Sequence, residues 1–490
     1  MTTIVLAAVA PWAVAQGADP IWPQYQGGPG HAGALEDGPQ PPFRTRWTFG
    51  APAGEALSAP VIAGDLAIAV GSEAVYGIDV ATGEGRSIAA RSGGPLSAPA
   101  VARVGQIQAV LYLEGSQEPE ASASASGTAS ASTSPSASPS ASPDGEAVGP
   151  GEVDGSSSFL VAVSLRGGTE LWRVPLQAVA RSGVTVDDTT AYVGDQQGHV
   201  VAVALADGSV TWTAEVPGRV DVPVAVSGGT VYVVARDADA PAVAIAALDT
   251  ATGERSWQVF PRATSTFGSA PAAGVGFVLV GSADRLVRSI AAEDGTERWT
   301  SLVLSFFSPA TAPAFAGDAV YAADLSGGLY RIDAADGHRE WSHQLNVIVL
   351  RSAPVVSGPT VLLGLNDGRL VAFDSESGHL VWESEATPGL VGAIALGSDV
   401  VIAVKGGRDG GLIAFEHDPE GELLDLAPPT ELETGTTLSR YGLAAAIVLI
   451  VALIPGIALR RRLGPPDLSG GDQTDPGEDL GDEDAEGGQP

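Results

Sequence analysis

One phrase is written over and over in this 490-residue chain: an aspartate, a glycine four residues on, and a tryptophan four residues after that. It stands in full as "DTATGERSW" (residues 249–257), "DAADGHREW" (333–341) and "DSESGHLVW" (374–382). Aligned on its glycine, the phrase returns at Gly83, Gly168, Gly208, Gly253, Gly295, Gly337, Gly378 and Gly421, and every interval after the first is 40 to 45 residues. A period of that length means a stack or ring of one supersecondary unit, because a single unit cannot bury its own apolar face. The first interval is about twice as long, and the Ser/Ala/Pro-rich run 116–158 accounts for the excess. That composition offers too little apolar surface to offset the entropy of ordering, so the run reads as a disordered insertion in unit two. Eight units remain.

Each unit reads as β-structure. "TVLLGLNDGRLVAFDSESGHLVW" (360–382) holds two alternating apolar runs joined by Asn-Asp-Gly, then the Asp/Gly turn, then a third run. A further run comes before these, marked by small residues: "SAPVIAG" at Ser58, "SAPAVA" at Ser97, "SAPAAG" at Ser269, "TAPAFAG" at Thr311 and "SAPVVSG" at Ser352. Four short strands per unit make a propeller blade, so the expected fold is an all-β, eight-bladed propeller. In the turn, the aspartate accepts from nearby amides and the glycine supplies a positive φ. Trp172, Trp212, Trp257, Trp299, Trp341 and Trp382 then fall on the outermost strand, where a large ring fills the widening gap between blades. Units one and eight depart, with Ser87 and Asp425 at the tryptophan position. Trp47, in "FRTRWTFG", lies in register for an outer strand without a unit of its own. Residues 44–49 are therefore expected to complete the eighth blade and close the ring.

The flanks place the propeller. Residues 1–18 carry a short apolar run and Ala13-Val14-Ala15, a pattern signal peptidase accepts, though without a basic leader. Residues 441–459 hold no charge and are followed at once by Arg460, Arg461 and Arg462. As a helix they rise roughly 28 Å, about one bilayer core. The arginines set the orientation, leaving the disordered acidic tail 463–490 cytoplasmic and the propeller extracytoplasmic on a single-pass transmembrane helix. A formal net charge of −33 argues against nucleic acid as a partner. The absence of cysteine removes disulfides, thiolate metal sites and cysteine nucleophiles together.

The "LYRIDAADGHREW" type of phrase, the "SAPV" strand starts, and "WPQYQGGPGHAG" (22–33) leading into "PPFRTRWTFG" resemble the PQQ-like β-propeller repeat family over residues 22–428. The resemblance is specific for fold and open on function. The family includes quinoprotein alcohol dehydrogenases, with pyrroloquinoline quinone (PQQ) and calcium, and non-catalytic scaffolds of the BamB type. A quinone site needs calcium ligands from Glu, Asn and Asp. This chain has two asparagines, Asn346 and Asn366, the latter explained by its hairpin, and it lacks the adjacent cysteine pair typical of the alcohol dehydrogenases. Its six histidines show no metal-ligand spacing. The expectation is a non-catalytic binding or scaffolding module with no cofactor and no metal, whose partner is an envelope or membrane protein. The alternative is a PQQ- and calcium-dependent dehydrogenase.

One charge pattern suggests a site. The connections from one blade's outer strand to the next blade's inner strand share a face at the channel mouth. They carry Arg91, Arg181, Arg219, Arg262 and Arg351. Ringed round one opening, these would hold a carboxylate or an acidic peptide segment; against that, each has local aspartates or water to satisfy it.

Overall fold

The apolar alternation of each unit becomes four antiparallel strands, and eight such sheets follow one another round a ring. The computed structural model describes residues 22–115, 158–236, 243–261, 268–282, 284–305, 311–407 and 410–424. Blade seven shows the plan: Val355–Ser357 innermost, then Thr360–Gly364, Leu370–Asp374, and Leu380–Glu383 outermost. The two middle strands of a blade are covered on both faces by neighbouring blades, so they read as continuous apolar runs and are buried almost throughout. Outer strands face solvent and alternate, as in Glu297–Leu302, where Trp299 and Ser301 turn inward. The antiparallel order fixes two faces. Interblade connections and second-to-third-strand hairpins lie on one, here the connection face; the Asp/Gly turns lie on the other.

The repeated phrase is an interblade staple. In every outer strand that bears a tryptophan, the ladder skips one residue just before the ring, as between Arg255 and Trp257, and this bulge aims the indole at the next blade. Trp257 donates its indole N–H to Ala292 O at 2.9 Å, and Trp299 does the same to Ala334 O at 2.9 Å. The ring lies over the turn glycine of that blade: a Cβ on Gly295 would fall 2.7 Å from Trp257. The turn aspartate holds the approach, Asp249 Oδ1 accepting from the Ala251 and Thr252 amides at 3.0 and 2.9 Å.

Ring closure follows the sequence expectation with one more residue at each end. Phe43–Gly50 pairs antiparallel with Gly411–His417, and Trp47 staples blade one through its N–H to Val80 O at 2.8 Å. This corrects the reading of Gly421. The third strand of blade eight ends at His417 and its outer strand comes from the N-terminus, so no Asp/Gly turn is needed there. Gly421 is absent from the left-handed glycines that include Gly83 and Gly378, and Pro42 and Asp418 surround it where a tryptophan would be. The insertion joins the second and third strands of blade two, between Gly115 and Ser158. Ser158 belongs to the strand; it is buried, and its hydroxyl accepts from Ala180 N at 3.1 Å. The leader 1–18, the rest of the insertion, 441–459 and 463–490 lie outside the described residues. Among the described residues no helix is long and apolar enough to cross a membrane.

Candidate functional site

The inner strands are short and rich in small residues, so eight of them meeting round an axis leave a channel with backbone groups facing it. The N-terminal segment fills it. Trp22 O accepts from Ile62 N of blade one at 2.8 Å, and Pro23 O from Val101 N of blade two at 2.7 Å. The Gln24 side-chain amide makes both bonds to Val186 of blade three, at 2.7 and 2.9 Å. The carbonyls of Pro29, Gly30, Ala32 and Gly33 then take the inner-strand amides of Val226, Ala273, Phe315 and Val356, in blades four to seven, at 2.7 to 2.8 Å. The segment thus visits seven blades in chain order before its Ala34–Leu35 adds a short parallel strand to blade seven. A Cβ at Gly30 would fall 2.4 Å from Ala273 O, so only glycine allows that approach.

His31 sits inside this plug with no exposed surface. Its Nδ1–H donates to Pro271 O at 3.1 Å, its Nε2 faces Thr185 Oγ1 at 3.4 Å, and its ring meets Tyr25 edge-on. Burial pushes its pKa down to about 4, so the ring is neutral at pH 7. Beside it, Trp22, Tyr25 and Gln26 line a small recess with residues of blades one, seven and eight.

The arginines of the connection face do not act as one set. Arg91 is turned inward: its guanidinium donates to the carbonyls of Gly71, Pro95 and Leu113, and burial lowers its pKa. It braces the hairpin below the insertion together with Glu114, which accepts from Ser92 and from Arg173 at 3.2 Å. An arginine that burial has enclosed in carbonyls is not open to a ligand, which corrects the five-membered ring. Arg219 pairs with Asp221 at 3.2 Å, Arg181 and Arg351 are exposed, and Arg262 lies outside the described residues.

Asn366 and the buried carboxylates of Asp324 and Asp195 are engaged in turns of the connection face. Asn366 Oδ1 accepts from Leu350 N at 3.3 Å on the connection face, and Asn346 sits in the adjoining connection. The buried carboxylate of Asp324 is saturated by the Ser305, Ser326 and Gly328 amides and the Tyr330 hydroxyl. Asp195 likewise takes the Gln197 and His199 amides and His199 Nδ1. Among the described residues, no group of three or more His, Asp or Glu is arranged to hold a metal ion. Two features escaped the sequence. The plug's bonds are mostly backbone and leave no residue pattern, its density of glycine being the one trace. The exposed Phe260, Leu302, Leu304 and Leu350 on the connection face are ordinary apolar letters in an apolar chain.

Residues 156–272 and 243–404 match the family model of the outer membrane protein assembly factor BamB. The BamB of Yersinia pestis is 27% identical over 153 residues, which are 28% of this chain and 38% of that protein. The match therefore spans little more than a third of the relative's length. Among solved structures, a quinohemoprotein alcohol dehydrogenase from Pseudomonas putida HK5 superposes with a TM-score of 0.57 at 12% identity, over 84% of this chain and 82% of that one. The computationally designed protein Ika8 does so with a TM-score of 0.53 at 14% identity, over 76% of this chain and 99% of that one. At such identities the likeness is one of fold.

Proposed function

The chain belongs to the PQQ-like β-propeller family, matching the model of the assembly factor BamB, and on that premise we propose that it is a non-catalytic protein-binding module of the cell envelope. The observation that carries this reading is the plug. The axial channel, where a propeller of this kind would receive a small molecule, is filled by residues 22–35 of the same chain. What remains for recognition is the rim, where loops carried on a rigid ring suit contact with another macromolecule. The relative's printed name, an assembly factor for outer membrane proteins, supports a partner that is itself a protein.

The dehydrogenase alternative makes a clear demand. Purified protein mixed with pyrroloquinoline quinone and calcium should show neither a bound quinone spectrum nor dye-linked alcohol oxidation. Either signal overturns the reading. Anchoring is part of the same proposal: residues 441–459 cross the membrane and Arg460–462 hold the tail inside. Protease added to intact protoplasts should cut within 116–157 and spare 463–490. A cut tail with an intact insertion would reverse the orientation.

A further inference from the structure

The connection face of blades four to six keeps large apolar side chains in water. Phe260 is 55% exposed, Leu302 56% and Leu304 40%. Phe260 and Leu302 hold the same place in successive blades, three residues after Trp257 and Trp299; the residues three after the other outer-strand tryptophans are Gly50, Pro175, Glu215, Gln344 and Glu385. Leu350, 38% exposed, follows in the next connection. Single exposed apolar residues are ordinary on a folded surface, but large ones gathered in one sector mark a contact area.

Positive charge stands beside them. Arg285 holds φ at +67°, a left-handed conformation that costs a non-glycine residue. Its carbonyl accepts from Val303 N at 2.9 Å, which fixes it against the stretch between Leu302 and Leu304. Arg351 is exposed directly after Leu350. Among the described residues, Asp284 is engaged with Arg288, Asp367 with Arg369 at 2.7 Å, and Asp324 in its buried hairpin, while Asp237 and Asp239 of the blade-four hairpin lie outside the described residues. Neither Arg285 nor Arg351 forms an ion pair among the described residues. In a chain of net charge −33, these apolar side chains thus share a face with Arg285 and Arg351.

We propose, building on the protein-binding reading above, that Phe260, Leu302, Leu304 and Leu350 with Arg285 and Arg351 form the docking surface for one segment of a partner protein, apolar at its centre and flanked by carboxylates. The apolar side chains supply the desolvated middle of the contact, and the arginines at its edge select for acidic flanks.

The test is photocrosslinking of the full-length chain in its own cells. p-Benzoylphenylalanine is placed at Phe260, Leu302 or Leu304, and as controls at Ile107 and Val210, which are exposed elsewhere. The expected result is one dominant adduct shared by the three sector positions and missing from the controls. Mass spectrometry should map it to a peptide of large apolar residues flanked by Asp or Glu. The double variant Arg285→Glu/Arg351→Glu, with its unfolding midpoint unchanged, should lower the adduct about tenfold. An adduct with lipid or with a second copy of this chain overturns the proposal. So does an adduct to a segment without carboxylates, or one indifferent to the charge reversal. Protein adducts at the controls alone overturn this surface and leave the binding-module reading standing. No protein adduct at any position counts against both.

Discussion

Trp257 performs two tasks in one contact: its ring covers Gly295 of the next blade, and its N–H takes Ala292 O at 2.9 Å. Gly295 is accordingly constrained twice. Its φ of +76° favours glycine, and the ring leaves no room for a Cβ. Trp257→Ala should leave a cavity and cost roughly 3–5 kcal/mol. Gly295→Ala should cost about 1–2 kcal/mol for its backbone conformation and more for the collision with the ring. In the Trp257→Ala background only the first part persists. Denaturant unfolding of the two single variants and the double variant should therefore show coupling of about 1 kcal/mol or more; strict additivity would reduce the glycine to a turn residue. The sequence displayed the tryptophan's place between blades because it recurs in register. It hid the glycine's second role, because ring and glycine lie a whole unit apart in the chain. The joint after blade one shows the dependence: Ser87 replaces the tryptophan, and the space over Gly168 is filled by the Ile88 carbonyl.

The segment 22–35 was legible only as a family mark, since its bonds to the inner strands run mostly through backbone and form no period. Of its two titratable side chains, burial raises the Tyr25 pKa and lowers that of His31, and only the histidine moves within the acid range. Burial holds the His31 pKa at about 4, against an unfolded value near 6.5, so the folded state resists protonation. The unfolded chain binds the proton first as pH falls below 6.5. Stability is then lost between pH 6.5 and 4, by about 3 kcal/mol in all, and no further below. Asp249 and Asp294 behave separately: bonds from Thr252 and Thr296 hold their pKa values down, so their contribution is lost at lower pH, below the ordinary carboxylate range. His31→Asn, able to keep a donor toward Pro271 O, should lessen the loss between pH 6.5 and 4.5, leaving the part due to His343, whose pKa burial also lowers, and should not touch the acid limb. Urea unfolding at pH 7 and pH 4.5 measures it. An equal loss in the variant would remove His31 as the cause.

At the scale of the whole ring, its first outer strand and its last strand meet in blade eight, and this was readable from the single displaced Trp47. Phe43–Gly50 ties the blade to its neighbours on both sides. Phe43 meets Trp382 of blade seven edge-on at 5.2 Å, while Trp47 is bonded to blade one. Arg44 pairs with Glu416 at 2.8 Å, and Arg46 reaches Asp399 at 3.0 Å. Those exposed pairs add little; the ladder and the aromatic contacts carry the joint. Two alterations of the chain should thus differ sharply. Replacing 116–157 by Asn-Gly joins Gly115 to Ser158, which already pair, and shortens a loop whose closure cost grows only slowly with length. Its unfolding midpoint should not fall. Replacing the eight residues Phe43–Gly50 by a Gly/Ser linker of equal length keeps the plug attached. It also strips the ladder from Gly411–His417 and removes the staple to blade one. The bare strand edge invites pairing between molecules. Soluble yield should drop and large aggregates appear on gel filtration, while the insertion variant elutes with the parent. A linker variant as soluble and as stable as the parent would show that the ring holds without its N-terminal strand.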